Sequence, residues 1–485
     1  MVSTLFLSII IGYFLVLLGV AYYTSKNATN ESFFIGNKSS HWALVAFGMI
    51  GTSLSGVTFV SVPGTVELAK FGYFQVVLGY FIGYFVVAFV LLPLYYKLKL
   101  TSIYDYLGQR FGRFSYKTGA LFFILSRTLG ATLRLYLVIN VLQVFVLDQL
   151  GMSFHVTTLI ILCMILLYTF KGGVKTIVWT DTLQTFFMLL ALVVCVFYII
   201  SDLGMSFSET LASLKNSGHM SIFHTDIMDK KYFLKQIIGG AFITIAMTGL
   251  DQEMMQKNIS VKTLGGAQKN MVLFSSVMVL VNFLFLFLGG VLFLYANTHG
   301  ILVKGDDLFP TIALNYLPVG ISLIFIIGLI SALFPSADGA ITALTSSFCI
   351  DIIGLQKRLD WDVEKRERVR KIVHLSFALL FLVMVYYFKE LNNKSIIGIL
   401  LDIAGYTYGP LLGLFAFGIL SKHKIKDHLA PIVCIVAPIL CYLFQNYVPS
   451  YFGWKYQIGI ELLLINGLLT FVGLWLIKDE LKQAA

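Results

Sequence analysis

Residues Gly48 to Gly64 read GMIGTSLSGVTFVSVPG. They fall in an apolar segment, 42–63, long enough to cross a bilayer, yet glycine, serine and threonine crowd the stretch. In hydrocarbon an unbroken helix satisfies its own backbone amides and carbonyls, so irregular backbone at that depth is tolerated only where it lines a cavity. This composition suits a helix broken at mid-membrane, which turns free carbonyls and half-helix ends toward a substrate or an ion. A tight helix–helix seam uses the same small residues. The rest of the chain has to separate the two readings.

The 485 residues are 58% hydrophobic and 12% charged. Soluble domains carry about 25% charged residues, so this is an integral membrane protein. The opening MVSTLFLSII lacks a basic leader, and its apolar run to about Tyr23 is long enough to span rather than be cleaved. The five cysteines are scattered, which supports neither a disulfide framework nor a zinc site. A net charge of +10 is read as loop charge facing the cytoplasm, not as a nucleic-acid surface. No nucleic-acid partner and no obligate protein partner is expected; the partners are a small-molecule substrate and the lipid bilayer.

Thirteen apolar segments of spanning length follow one another. They lie near 3–23, 42–63, 72–96, 118–147, 155–170, 177–202, 234–252, 270–297, 309–350, 370–388, 395–421, 428–447 and 459–477. The ninth is too long for one plain helix and should bend. With the N-terminus outside, inside loops hold 24 Lys and Arg and outside loops nine. That asymmetry selects N-terminus out and C-terminus in, in a multi-pass cell-membrane (inner-membrane) protein.

Ionisable residues inside spans mark function. In TDTLQ, Asp181 and Gln184 are three apart and share a helix face. They are either an interhelical hydrogen-bonded pair or part of a site. In SALFPSADGAITALTSS (331–347), Ala332, Ser336, Gly339 and Ala343 form a small-residue face. Ser331, Asp338, Thr342 and Thr345 form a polar stripe beside it. Carbonyls, hydroxyls and a carboxylate are the hard oxygen ligands an alkali cation wants. Without Asp338 the stretch would read as a packing seam kinked at Pro335. In SRTLGATLRLY, Arg127 and Arg134 lie two turns apart on one face. They fit an anionic substrate or structural carboxylate partners such as Asp402. No phosphate loop, HExxH or GxSxG occurs, and no histidine cluster sits in the spans, so an embedded enzyme is disfavoured.

YTFKGGVKTIVWTDTLQ (168–184) resembles the signature of the sodium:solute symporter family. GLDQEMMQKNIS (249–260), GTSLSGVTFVSVPG (51–64) and ISALFPSADGAITALTSSFCIDI (330–352) match further family helices in the expected order. The resemblance covers nearly the whole chain. It implies an all-α polytopic protein of leucine-transporter fold with 13 transmembrane helices. Residues 1–41 would be an N-terminal extra helix and loop. Residues 42–203 and 234–421 would be two inverted five-helix repeats, joined by an extracellular loop at 204–233. Residues 422–485 would hold two C-terminal helices and the tail.

The resemblance also implies sites and an activity, sodium-coupled symport by alternating access with Na+ as coupling ion and no organic cofactor. The general sodium site would use carbonyls of Gly51, Leu54 and Ala332 and the hydroxyl of Ser336. Pro335 stands where the family has a second hydroxyl. A second cation site would involve Asp181 and Asp338, with Gln184 nearby; Asp338 and Gly339 replace serines there. Proton coupling is the alternative that two buried carboxylates raise. Substrate positions would be Ser53, Ser55, Thr58, Gln75, Arg127 or Arg134, Thr248 and Tyr406. An arginine on the third core helix favours a small organic anion such as a sialic acid or monocarboxylate. Neutral sugars, amino acids and inorganic anions stay open. A transporter-like membrane sensor would need an appended signalling domain, and a channel fits the broken helix less well.

Overall fold

The structure is a computed structural model that describes residues 2–26, 33–34, 36, 40–358, 360–391, 396–452 and 458–479. Lys38, Lys394, Lys455 and Lys482, which contribute to the loop-charge count, lie outside the described residues. The described residues are helical; beyond isolated bridges such as Ser40 with Val261 they contain no strand. That follows from the solvent, because in lipid only helices and closed barrels satisfy their own backbone.

In chain order, α1 is Val2–Thr24, and α2 (Trp42–Ser53) and α3 (Gly56–Gly64) are two halves of one bent element. Next come α4 (Phe74–Lys97), α5 (Arg113–Leu150), α6 (Phe154–Phe170), α7 (Gly172–Asp202) and the short amphipathic α8 (Phe207–Asn216). A second bent pair follows, α9 (Phe233–Gly249) and α10 (Gln252–Ile259). The rest are α11 (Leu264–His299), α12 (Leu308–Asn315), α13 (Val319–Ile353), α14 (Val363–Leu391), α15 (Gly398–Leu420), α16 (Asp427–Tyr447) and α17 (Leu462–Leu476).

Nine helices among the described residues are long and apolar enough to span, and up to eleven if each bent pair counts as one. The expected thirteen is not reached on length and composition. The two remaining positions are filled by α6 and α17, which are apolar but shorter than a full span. The long ninth segment resolves into α12 and α13, with Pro318 preceding the second helix.

The bends are the feature that positions the site. The α2–α3 pair turns by 53° and the α9–α10 pair by 64°. Each leads a run of spans, so the chain carries a broken helix near the start of each half. The first break falls at Leu54–Ser55, inside the stretch that composition singled out. α2 packs against α7, α7 against α13, α4 against α9, and α5 against α15. Close approach depends on small residues. A Cβ at Gly51 would lie 2.4 Å from Thr185 Oγ1, and one at Gly56 would lie 2.0 Å from Val138 Cγ2. Pro335 does not break α13, whose residues 328–347 are all buried. Large apolar side chains such as Leu15, Phe197 and Leu468 stay exposed, as a lipid-facing surface requires.

Candidate functional site

Two polar regions adjoin the α2–α3 break. The first is a cavity of about 110 Å³. Six expected substrate residues line it: Ser53, Ser55, Thr58, Arg127, Arg134 and Thr248. Tyr73, Tyr80, Tyr84 and Asn282, which the sequence reading missed, line it too. The three tyrosines are seven and four residues apart, which puts Tyr80 and Tyr84 of α4 and Tyr73, the residue just before it, on one side. That spacing was available in the sequence, where tyrosines of a span also fit a lipid-facing aromatic belt. The Tyr73 and Tyr80 hydroxyls are 3.3 Å apart.

Two expected residues stand elsewhere. Gln75 is fully engaged: its amide donates to the Gly72 and Lys231 carbonyls and accepts from His224 N, which ties the loop before α9 to α4. Tyr406 bonds to Gln445 on α16 and does not reach the cavity.

The two arginines have separate environments. Arg127 pairs with Glu253 through its Nη2, and its Nη1 is 3.9 Å from Asp251 Oδ2. Neither partner is Asp402. Asp251 caps α10, accepting from Glu253 N (2.9 Å) and Met254 N (3.2 Å), and its other oxygen accepts from Tyr408 at 2.7 Å. Arg134 lines the same cavity, and no carboxylate lies within 4.0 Å of it among the described residues. Its Nε has no hydrogen-bond partner. One guanidinium is thus neutralised by protein, and the other is offered to the cavity.

The second region lies between α2, α7, α10 and α13. Asp181, Gln184, Ser336 and Asp338 are all fully buried here. The Ala332 carbonyl is 3.9 Å from the Cβ position of Gly56, so the α2–α3 break faces this part of α13. Ser336 donates to the Leu333 carbonyl at 2.8 Å. Asp338 Oδ2 accepts from Tyr168 at 2.7 Å, and its Oδ1 accepts from Gly339 N. Among the described residues Asp181 Oδ1 has no hydrogen-bond partner, and Gln184 lies beside Tyr168, the residue that donates to Asp338.

Asp181 Oδ2 is engaged by a residue that sequence reasoning placed in a loop. Lys257 Nζ donates to Asp181 Oδ2 and to Thr52 Oγ1, each at 2.6 Å, and lies 3.7 Å from Glu253 Oε1. Thr52 itself donates to Asp181 Oδ2 at 3.0 Å. Lys257 is 2% exposed. Lys257 is one of the 24 Lys and Arg counted in inside loops, and it is a buried residue, not a loop charge. The expected span at 234–252 stopped too early, because the chain bends at Gly249–Asp251 and continues inside the protein as α10. The available signal was Glu253 and Lys257 four apart in a segment quoted only for its family likeness. Pairing explains how these charges are tolerated. A buried ion is costly alone, and each here has an opposite partner.

The family is decided at this point. Residues 33–426 match the sodium:solute symporter family. The chain belongs to the sodium:solute symporter family. It is therefore a sodium-coupled membrane transporter of small solutes. It is 22% identical over 463 residues to the sodium/sialic acid symporter SiaT of Proteus mirabilis, across 91% of this chain and 89% of that one. It is also 22% identical over 474 residues to the sodium/sialic acid symporter NanT of Aliivibrio fischeri, across 93% and 89%. A solved structure of a Na+-coupled sialic acid symporter, substrate-bound and outward-open, superimposes with a TM-score of 0.83 over 99% of each chain at 21% identity. The symporter shares that leucine-transporter-type fold.

Proposed function

We propose that this symporter imports a small organic anion, such as a sialic acid or a monocarboxylate, with the substrate carboxylate held by Arg134. The carrying observation is the unpaired Arg134 guanidinium in a cavity whose other arginine is already neutralised by Glu253. A planar guanidinium binds a carboxylate through two parallel hydrogen bonds, and burial strengthens them. Ser53, Ser55, Thr58, Thr248 and Asn282 supply hydroxyl and amide partners for the rest of the solute. The sialic acid specificity of the relatives supports the same class.

Residues 42–203 and 234–421 are the two five-helix repeats, each led by a broken helix. Sodium enters at the carbonyls of Gly51, Leu54 and Ala332 and the Ser336 hydroxyl, joining the α2–α3 break to α13. That join favours the outward-facing state, and solute binding then permits closure. Because each ligand stabilises the state the other needs, their affinities are coupled reciprocally. The membrane potential assists entry of positive charge by about 2.3 kcal/mol per charge per 100 mV. The N-terminus lies outside and the C-terminus inside. Protection of a C-terminal tag from protease in intact cells tests that orientation, and cleavage overturns it.

Uptake into proteoliposomes under sodium or proton gradients, against a panel of labelled carboxylates and their amides, tests the reading. Sodium-driven uptake of a carboxylate but not its amide is expected, and Arg134→Gln should reduce it by about 100-fold or more, as lost charge-assisted hydrogen bonds of about 1.5–3 kcal/mol each imply. Equal uptake of acid and amide would overturn the anion assignment. Uptake driven by a proton gradient alone would overturn sodium coupling.

A further inference from the structure

We propose that the Lys257 ammonium is a built-in cation that holds the Asp181 position permanently, so that this symporter exchanges sodium only at the Ala332–Ser336 position. The second half of this statement rests on the sodium-coupled reading above; the first half rests on the geometry around Lys257.

An ammonium has three donors and no acceptor. Here two of them donate to Asp181 Oδ2 and Thr52 Oγ1, each at 2.6 Å, and Glu253 Oε1 lies 3.7 Å from the nitrogen. The groups come from three elements, α7, α2 and the ammonium's own α10. A metal ion bound to the same carboxylate oxygen would share it with a second positive charge in van der Waals contact. The Lys257 side chain is buried, and its ammonium donates to Asp181 and Thr52. Glu253 is held on its far oxygen by Arg127.

The surroundings match a tethered ammonium better than an exchangeable metal. Family resemblance puts hydroxyls at the positions of Asp338 and Gly339. Here Asp338 is bonded by Tyr168 and by Gly339 N, and Gly339 has no side chain. A Cβ at Gly339 would lie 2.3 Å from Glu253 Oε1 and 3.3 Å from Lys257 Nζ. Loss of that side chain is what admits the Glu253–Lys257 pair. Asp338 adds a second acidic side chain close enough to interact with both Asp181 and Lys257. Asp181 Oδ1, left without a hydrogen-bond partner among the described residues, shares its carboxylate with the oxygen that the ammonium holds, so a metal there would sit beside a fixed positive charge. A tethered cation also competes at a high effective concentration that a free ion has to exceed.

Direct binding of radioactive sodium to the purified full-length protein, with a sodium titration of its thermal stability, tests the proposal. The parent should bind a single sodium ion per chain, with a non-cooperative titration. Lys257→Gln, with Asp181 intact, should bind a second sodium and show a steeper titration; Lys257→Arg should behave as the parent. A parent that binds two sodium ions, or a Lys257→Gln protein whose sodium stoichiometry is unchanged, would overturn it. If Lys257→Gln does not fold, the Asp181→Asn, Lys257→Met double variant removes both charges together. It should retain the parent's single-sodium titration, and its loss would overturn the proposal. These measurements need no solute. Failure to find a transported anion therefore leaves them intact. If the parent shows no sodium response at all, the sodium reading fails, while a sodium response gained by Lys257→Gln still supports the built-in cation.

Discussion

Gly339 shows how one missing side chain decides the chemistry around it. Its Cβ position is filled by the Glu253 carboxylate, 2.3 Å away at Oε1 and 2.9 Å at Cδ. The end of a glutamate ordinarily swings aside cheaply. This one cannot, because moving it would leave Arg127 buried without its closest partner and loosen Lys257 as well. Stripping a buried charge of its partner costs about 3–5 kcal/mol. Gly339→Ala should therefore destabilise by about 1–3 kcal/mol, the range for overpacking a filled interior, even though alanine is the better helix former. Gly19 is the control: it lies in α1 with nothing within 4 Å of its Cβ position, so Gly19→Ala should be neutral or slightly stabilising. Thermal unfolding of the two purified variants decides. If Gly339→Ala melts with the parent, Glu253 is not fixed where the structure has it.

At the scale of elements, the glycine pair of the family-like signature acts as a joint. Gly173 adopts φ 53°, ψ −143°, a conformation open to glycine and strained for any residue with a Cβ. A Cβ there would also meet backbone, with Phe33 Cα at 2.4 Å and Phe33 O at 2.6 Å. Backbone does not step aside as a side-chain tip can. Gly173→Ala should cost about 1–3 kcal/mol from the dihedral strain alone. The expected readout is a lowered melting temperature together with reduced transport, because α7 carries Asp181. A variant with full stability and uptake would show that the joint is dispensable. This joint was legible in the sequence as a Gly-Gly pair between two apolar runs. The α2–α3 break was legible for the same reason: small and hydroxyl residues in a span have few other uses. Lys257 was not legible. A lysine after an apolar run reads as a loop charge, and only the 64° bend at Gly249–Asp251 folds it back inside. Tyr406 was misplaced for a related reason, since helical periodicity ranks the faces of α15 but does not say that α16 packs on the one bearing Tyr406.

At the scale of the whole molecule, the end of the first broken helix is closed by a loop that carries its own titratable group. Asp306 sits in the turn between α11 and α12, beside Ser61 of α3, and the Gly305 carbonyl presses against Gly64. Burial, aided by the neighbouring Asp307 and opposed by Ser61, raises its carboxyl from 3.8 to about 6. The sign follows from linkage. With the folded value above the unfolded one, the folded state binds more protons between the two, so stability falls as pH rises from 3.8 to about 6 and changes no further above that. Any rearrangement that hydrates Asp306 relieves the same penalty, so acid favours the packed arrangement of loop on α3 and neutral pH loosens it. Asp306→Asn keeps the shape and removes the charge. It should abolish this part of the pH slope and leave the protein more stable than the parent at pH 7–8, with the two converging near pH 4. The Glu67–Lys304 pair at the same end, 2.6 Å long with its lysine exposed, should contribute little, because solvent screens it. Melting temperatures of parent and variant across pH 4–8 provide the measurement. A parent whose curve is flat over that window, or an asparagine variant that keeps the parent's slope, would mean that the Asp306 carboxyl is solvated and the loop does not seal the end of α3.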